Sequence, residues 1–420
     1  MSDIRWIGIQ SLIGGMFIGA EKAFGVPPLC TIDFDGIDKG NSSAYMHYMN
    51  NVRNLGLREL ILNGDLLSKT KTFKTQEDTD FFNSINHDID VVSAVPICSG
   101  LSMANANNSC EAGTKARGSE AIQNNNMIGI TEFALEIIKP KAYIFENAPN
   151  FYTDAGKGIR DKLTEIGKKN GYAVTYVKTN SFKHNNPQAR SRTFGIFWKG
   201  GKCPQLNRVD DPHKDIVDYL EGLSDKPYGT QEFNMFPKFN ENGFIKYMKS
   251  LGPDWRDKMV EAKTNTVLTY LEKNNWPDEV LNYLSDKEKH LYEHAKSKKL
   301  AGANYMDNSP IYEGKDKICT VFGRTNKRFI HPTEDRGYTI RELLKFMGMP
   351  DDFEWPDAKN KTDWIGQNVP ALTSKAWHDQ IKLFVEGKLD MTDKEVDMFN
   401  NETNNVGGKP KINFGFKKVK

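Results

Sequence analysis

The chain has 420 residues, 38% of them hydrophobic, with 57 Lys and Arg against 55 Asp and Glu. At roughly 150 residues per domain this predicts two or three domains, each able to bury a core without disulfide staples. The net charge of +2 excludes a histone-like polycation and a long acidic tail, though not a local basic groove. The cysteines (Cys30, Cys98, Cys110, Cys203 and Cys319) are odd in number and contain no CxxC pair. They argue against a zinc ribbon or a secreted disulfide framework and for a reducing compartment, and no metal site is expected. No apolar run reaches the ~18 residues of a membrane span. Ile4 to Ala20 is only superficially like a signal peptide: Gln10 and Ser11 interrupt it, and Gly14, Gly15 and Gly19 fall where a strand turns into a helix.

From Ile4 to about Trp198, short β-type runs alternate with helical stretches, the pattern of a mostly parallel α/β sheet. Strands are predicted at Ile4–Gln10, Leu29–Asp33, Glu59–Asn63, Asp90–Val95, Lys141–Glu146, Ala173–Thr179 and Thr193–Trp198. Helices are predicted at Ile13–Phe24, Ser42–Asn51 and Ile122–Ile138. Ala104–Gly118, rich in Asn, Gly, Ser and Ala, reads as a long mobile loop, and such loops are usually functional. After Gly200-Gly201 the alternation stops. From about Cys203 to Asn308 charged, amide and aromatic residues mix with helical runs such as Asp278–Lys298, which reads as a second domain or a large insertion. A strand-like segment and a short helix, Thr339–Phe346, follow within Ile318–Pro350. A turn and helix over Ile365–Gly387 and a Gly- and Lys-rich tail complete the chain.

Ligands of open α/β sheets bind beyond the carboxyl ends of the strands. Ser11-Leu12-Ile13-Gly14-Gly15-Met16 follows the first strand, where glycines admit a ligand to the backbone and a helix N-terminus adds partial positive charge. Alone, a glycine pair is equally well a tight strand–helix turn. Asp33 ends the second strand, where nucleotide-binding folds place an acid for ribose hydroxyls, and Gly64-Asp65 follows the third. A lone Asp there is commonly a helix cap; three such features at successive strand ends point to a nucleoside-containing cofactor. Cys98, within Pro96-Ile97-Cys98-Ser99, opens the long loop and is a candidate nucleophile, against the commoner fate of a small buried hydrophobe. Glu146, on the neighbouring strand end, is a candidate general acid. Arg190 and Arg192 at i, i+2 share one strand face and suit an anionic or carbonyl-bearing ligand; a solvated edge strand is the plainer alternative.

Together these residues resemble the DNA cytosine-5 methyltransferases over residues 4–200 and 318–387, with motifs in the family's order. Ser11–Met16 matches the cofactor-binding glycine motif, Asp33 the ribose acid and Asp65 the adenine-contacting acid. Pro96 to Ser102 matches the Pro-Cys nucleophile motif, Glu146-Asn147 the Glu-Asn motif, and Gln188, Arg190 and Arg192 the Gln-x-Arg-x-Arg motif. His331-Pro332 through Pro350-Asp351 and Ile365–Pro370 resemble the last two motifs. The chain departs at Gln10 and Leu12, where Phe and Gly are usual. Pro-Pro-Cys-Gln reads Pro96-Ile97-Cys98-Ser99, and Gly-Asn-Ala-Val-Pro reads Gly366-Gln367-Asn368-Val369-Pro370. These departures bear on cofactor affinity and identity.

The resemblance implies an S-adenosylmethionine-dependent methyltransferase (Rossmann-like) α/β sheet with a second, smaller target-recognition domain. Residues 1–202 would be catalytic and 203–330 target-recognising, with 331–400 returning to the catalytic domain and 401–420 a flexible basic tail. It implies methyl transfer from S-adenosylmethionine to C5 of a cytosine flipped out of duplex DNA, through a covalent Cys98–C6 intermediate. Cys98, Glu146, Arg190 and Arg192 would be the catalytic set. Ser11, Leu12, Ile13, Gly14, Gly15, Asp33, Phe34, Asp65, Leu66, Pro96, Asn368 and Val369 would surround the cofactor. The enzyme is expected to be a cytoplasmic monomer of bacterial or phage restriction-modification or orphan type, with no membrane partner; its recognition sequence is not readable. Weighed against this are a tRNA cytosine-5 methyltransferase, a decayed or altered-cofactor homologue that binds DNA, and an amino-methyltransferase. The last is opposed by Asn147-Ala148-Pro149-Asn150, which lacks the second proline and aromatic of the amine-gripping motif.

Overall fold

A computed structural model describes residues 3–34, 40–63, 72–101, 118–119, 124–207, 209–223, 241–305, 307–321, 328–355, 362–392, 400–401 and 416–417. One sheet is carried by β1 (Trp6–Ile9), β2 (Thr31–Phe34), β3 (Glu59–Leu62), β4 (Val91–Ala94), β5 (Ala142–Asn147), β6 (Tyr172–Asn180) and β8 (Ser191–Lys199). The short β7 (Gln188–Ala189) lies outside it and pairs with Ile318–Cys319. The spatial order is β3-β2-β1-β4-β5-β8-β6, extended beyond β6 by Asn400–Asn401.

Strands β3, β2, β1, β4 and β5 are mutually parallel. Strand β8 runs antiparallel between β5 and β6. Every residue of β1, β2, β4 and β5 is buried, which explains their continuous apolar sequences: both faces of these strands are covered. The chain builds outward from β1 through β2 and β3, then returns to the other side of β1 with β4. That reversal opens a crevice beyond the carboxyl ends of β1 and β4.

Two cores flank the sheet. One contains side chains of α1 (Gly15–Phe24), α2 (Gly40–His47), α11 (Ile340–Phe346), α12 (Asp363–Gln367) and α13 (Ala371–Val385). The other contains α3 (Gln76–Ile85), α4 (Asn124–Glu132) and α5 (Lys157–Lys169). A third core is built almost wholly from the insertion. After the single turn of α6 (Ile216–Leu220), helices α7 (Gly243–Ser250), α8 (Trp255–Glu261), α9 (Val267–Lys273) and α10 (Asp286–Leu300) close around Trp255, Leu271, Trp276 and Tyr292, with Tyr312 and Ile330.

Helix α13 returns to pack along α1. A Cβ on Gly19 would lie 2.3 Å from the carbonyl oxygen of Ala371 and 2.5 Å from Cβ of Ser374. Ser374 Oγ donates to the carbonyl of Met16 at 2.6 Å, and His378 Nε2 lies 3.1 Å from Ser93 Oγ on β4.

The strands expected from sequence all form, with ends shifted by a residue or two. Residues 4–20, the superficially signal-like stretch, make the buried β1 and most of α1. The helices predicted to Asn51 and Ile138 widen into π-type turns at Tyr48–Val52 and Phe133–Ile138. Two described pieces of the tail pair with strands, Asn400–Asn401 on β6 and Phe416–Lys417 on Leu206–Asn207, so those residues are not a free end. The expected mobile loop lies, but for Gly118, outside the described residues. Among the described residues no helix is long and apolar enough to cross a membrane.

Two expectations follow. Gly19→Ala should wedge α13 off α1 and lower stability by about 2 kcal/mol, read as a shifted denaturant midpoint, because the methyl meets backbone and not a flexible tip. Burial lowers the imidazole of His378 to about 4 and that of His184 to about 3. Unfolded, both would titrate near 6.5, so the unfolded chain binds more protons as pH falls. Stability held above pH 6.5 should decline towards pH 4 by about 1.4 kcal/mol per unit for each ring, and His378→Gln should flatten the decline.

Candidate active site

The turn after β1 is unusually tight. Gln10 donates its N–H to the carbonyl of Ile32 at 2.9 Å, and Gly14 donates to the carbonyl of Ser11 at 2.8 Å. Gln10, Leu12 and Gly14 all take positive φ, of 57°, 50° and 96°. Leu12 bears a steric cost of about 1–2 kcal/mol there, which glycine would not. Gly15 donates to Oδ1 of Asn368 at 2.9 Å, and a Cβ on Gly15 would lie 2.0 Å from the carbonyl oxygen of Val369. Asn368 and Val369 therefore press on the glycine loop itself, and both are buried.

Ile13 and Phe34 turn their side chains into the cores. Ser11 is buried, with Oγ donating to the carbonyl of Leu12 at 3.2 Å. Asp33 is buried at the end of β2, where Oδ1 accepts the N–H of Phe34 at 2.9 Å. Oε1 of Gln10, itself 5% exposed, has no hydrogen-bond partner among the described residues. Asp65 and Leu66 lie outside the described residues.

Strand β4 delivers the second half of the site. Pro96 is buried, Ile97 donates its N–H to Oδ1 of Asn126 at 2.8 Å, and Cys98 reaches solvent. Glu146, the penultimate residue of β5, is 4% exposed and lies with Oε1 2.8 Å from Nε of Arg192. The contact is an ion pair.

Arg190, expected beside Arg192 in the catalytic set, is wholly buried and differently employed. Its guanidinium donates to the carbonyls of Gly366 at 2.7 Å and Asn368 at 2.8 Å, and to that of Val321. It holds the site together and acts on it by charge. The shared strand face read from i, i+2 spacing breaks here because Arg190 lies between β7 and β8.

Opposed effects set the protonation of the pair. Loss of hydration raises the Cys98 thiol above its usual value, and the Glu146 carboxylate raises it further, while Arg192 and then Arg190 draw it down. Cys98 is nonetheless exposed as a residue. Burial likewise raises Glu146, against the pull of Arg192 and Arg190. A raised carboxyl can be the neutral donor that a ring nitrogen needs. Among the described residues no group of three or more His, Cys, Asp or Glu is placed to hold a metal ion.

Residues 64–383 match the family described as C-5 cytosine-specific DNA methylase. The chain belongs to that family. This DNA (cytosine-5)-methyltransferase is 24% identical to the type II methyltransferase M1.HphI of Haemophilus parahaemolyticus, covering 89% of this chain and 85% of that one. It is 21% identical to the type II methyltransferase M.DdeI of Desulfomicrobium norvegicum, over 76% and 78% of the two chains. Among solved structures, the Entamoeba histolytica methyltransferase EhMeth has a TM-score of 0.51 at 15% identity, over 91% of this chain and 98% of that one. A variant of Spodoptera frugiperda DNMT2 has the same TM-score at 11% identity, over 90% and 99%. These two likenesses concern the fold.

The methyltransferase's sequence hid one contact at the site. Asn126 was not expected there, although Asn124-Asn125-Asn126 opening a helix is a visible oddity, since Asn is a poor residue for a helical turn. The charge pattern is testable by alkylating Cys98 with iodoacetamide across pH. Glu146→Gln should lower the thiol pKa and speed alkylation at pH 8; Arg192→Met should slow it.

Proposed function

We propose that the enzyme transfers a methyl group from S-adenosylmethionine to C5 of a cytosine flipped out of duplex DNA, through a covalent bond between Cys98 and C6. The carrying observation is the convergence of an accessible Cys98 with the buried Glu146–Arg192 pair at the ends of adjacent strands. Cofactor fit is supported by the crevice between β1 and β4. There the N-terminus of α1, whose first N–H is held by Asn368, the carboxylate of Asp33 and the buried Oε1 of Gln10, which has no partner among the described residues, offer groups suited to a nucleoside with an amino-acid tail. Ser11 to Gly15, Asp33, Phe34 and Pro96 would hold it, Asn368 and Val369 backing the glycine loop; Asp65 and Leu66 carry over from the resemblance alone. When bound, S-adenosylmethionine supplies the electrophilic methyl group.

Cytosine C5 is a weak nucleophile, and the target base must leave the helix to be reached. Addition of the Cys98 thiolate at C6 forms the S–C6 bond and pushes electron density onto C5 and N3. Glu146, as the neutral acid, donates to N3 and offsets the developing charge. Arg192 is suited to the O2 oxygen, and Arg190 to positioning. C5 takes up the methyl group, then loses its proton to solvent, and the released electrons break the S–C6 bond to return the thiolate.

The third core, from Phe244 to Ala295 with Tyr312 and Ile330, supports assigning the middle of residues 203–330 to target recognition, whereas Cys203 to Leu223 and Ile311 to Phe329 contribute to the core shared by 1–202 and 331–400, the catalytic part. The named bacterial relatives, type II methyltransferases, support a restriction-modification or orphan enzyme; a monomer in the cytoplasm of a bacterial or phage-infected cell carries over from the resemblance alone.

The test is incubation with labelled S-adenosylmethionine and duplex DNA carrying 5-fluorocytosine, whose C5 fluorine cannot be lost as a proton. A covalent, labelled adduct is expected, and Cys98→Ser should abolish it. Label on tRNA but on no duplex, or no label on any nucleic acid, would overturn the reading.

A further inference from the structure

We infer that Asn126 is a positioning residue for the nucleophile, an inference that rests on the proposed role of Cys98. Helix α4 starts with two buried asparagines, Asn124 at 2% and Asn126 at 5% exposure, and each spends its side chain on the loop that carries Cys98. Asn126 Oδ1 accepts the N–H of Ile97 at 2.8 Å, one residue before the nucleophile. Asn124 Nδ2 donates to the carbonyls of Gly118 at 2.9 Å and Ser119 at 3.0 Å. Gly118 in turn donates to the carbonyl of Gly100 at 2.9 Å, and Leu101 donates to that of Cys98 at 3.0 Å. Both feet of the loop are therefore fastened to one helical turn, the entry by Asn126 and the exit by Asn124.

This arrangement matters because the Ile97 peptide sets where the Cys98 sulfur stands. Strand pairing ends at Ala94, and the last ladder-type bond near it runs from Val95 to Ile9. Beyond that, Pro96 has no N–H to give, so Ile97 supplies the first donor after the sheet. Only an acceptor can meet that N–H, which fixes the orientation of the Asn126 amide. A part-buried N–H left without its acceptor would drive the peptide to turn towards water, taking the thiol out of line with C6. The other two capacities of the pair, Asn126 Nδ2 and Asn124 Oδ1, have no partner among the described residues. Helix α4 thus forgoes hydrogen bonds of its own side chains in holding the loop.

The experiment measures Cys98 adduct formation on 5-fluorocytosine duplex in a single turnover, with DNA affinity measured separately. Asn126→Leu removes the acceptor at similar volume and should slow adduct formation about tenfold with DNA affinity unchanged. Ile97→Pro removes the donor, so adding Asn126→Leu to it should cost no more than about twofold. An equal loss in both backgrounds, or no loss in either, overturns the inference. If Ile97→Pro does not fold, Asn126→Asp decides in its place. The acceptor is kept while a negative charge is brought near the thiol, so the rate should fall at pH 7 and recover as pH rises. A pH-independent loss would mark a merely structural role. Absence of any adduct with the unaltered enzyme would instead sink the reading of Cys98, which separates the two failures.

Discussion

Arg190 brings a positive charge into a position with no exposed surface, and what meets it there is a set of peptide carbonyls. Those of Val321, Gly366 and Asn368 come from two segments far along the chain, while Arg190 itself precedes β8. Burial, and then the neighbouring Arg192, lower the tendency of the guanidinium to hold its proton, and Glu146 and Cys98 only partly counter that. Removing any one of those carbonyls would leave a buried donor unmet, which is costlier than the bond itself is worth. Gln188 adds to the clasp, accepting the N–H of Val321 at 3.0 Å and donating to the carbonyl of Phe346 at 2.7 Å. Asn186 donates to the same Phe346 carbonyl at 2.7 Å.

From that clasp the rest of the site is placed in order. Arg190 fixes the backbone of Asn368; the side chain of Asn368 fixes Gly15; Gly15 opens α1 above the crevice. Two residues beyond Arg190, Arg192 reaches Glu146. The base side and the cofactor side thus share one origin, and an error in either displaces the other. The strained Leu12 is tolerable because the turn is held from behind by Asn368 and Val369.

Much of this was legible in the sequence. Strands β1, β4 and β5 read correctly because burial on both faces leaves continuous apolar runs. Cys98 and Glu146 were marked as chemistry-bearing because each follows or ends a strand at the side where ligands bind, and Arg192 because of its i, i+2 spacing with Arg190. The helices α3 and α5 were less visible, since their apolar residues are sparse and set among many charges, whereas most of α10 was read within Asp278–Lys298. The duty of Arg190 was unreadable: nothing local tells a guanidinium that will meet a ligand from one that will meet carbonyls 131 and 178 residues away. The antiparallel placement of β8 was equally hidden, because strand direction follows from connection geometry and not from composition.

The glycine loop near the start of the chain is buttressed by Asn368, and α1 by α13, which ends at Val385. A ribosome makes the loop early and its buttress last. Through most of synthesis the nascent chain carries a nucleophile and half a cofactor crevice, neither yet fixed. The contact between Gly15 and Asn368 joins positions 353 residues apart, so the first turn takes its shape only after the residues between have been made. A chain cut short before residue 368 would keep most of the motifs and lose the contact that holds Gly15.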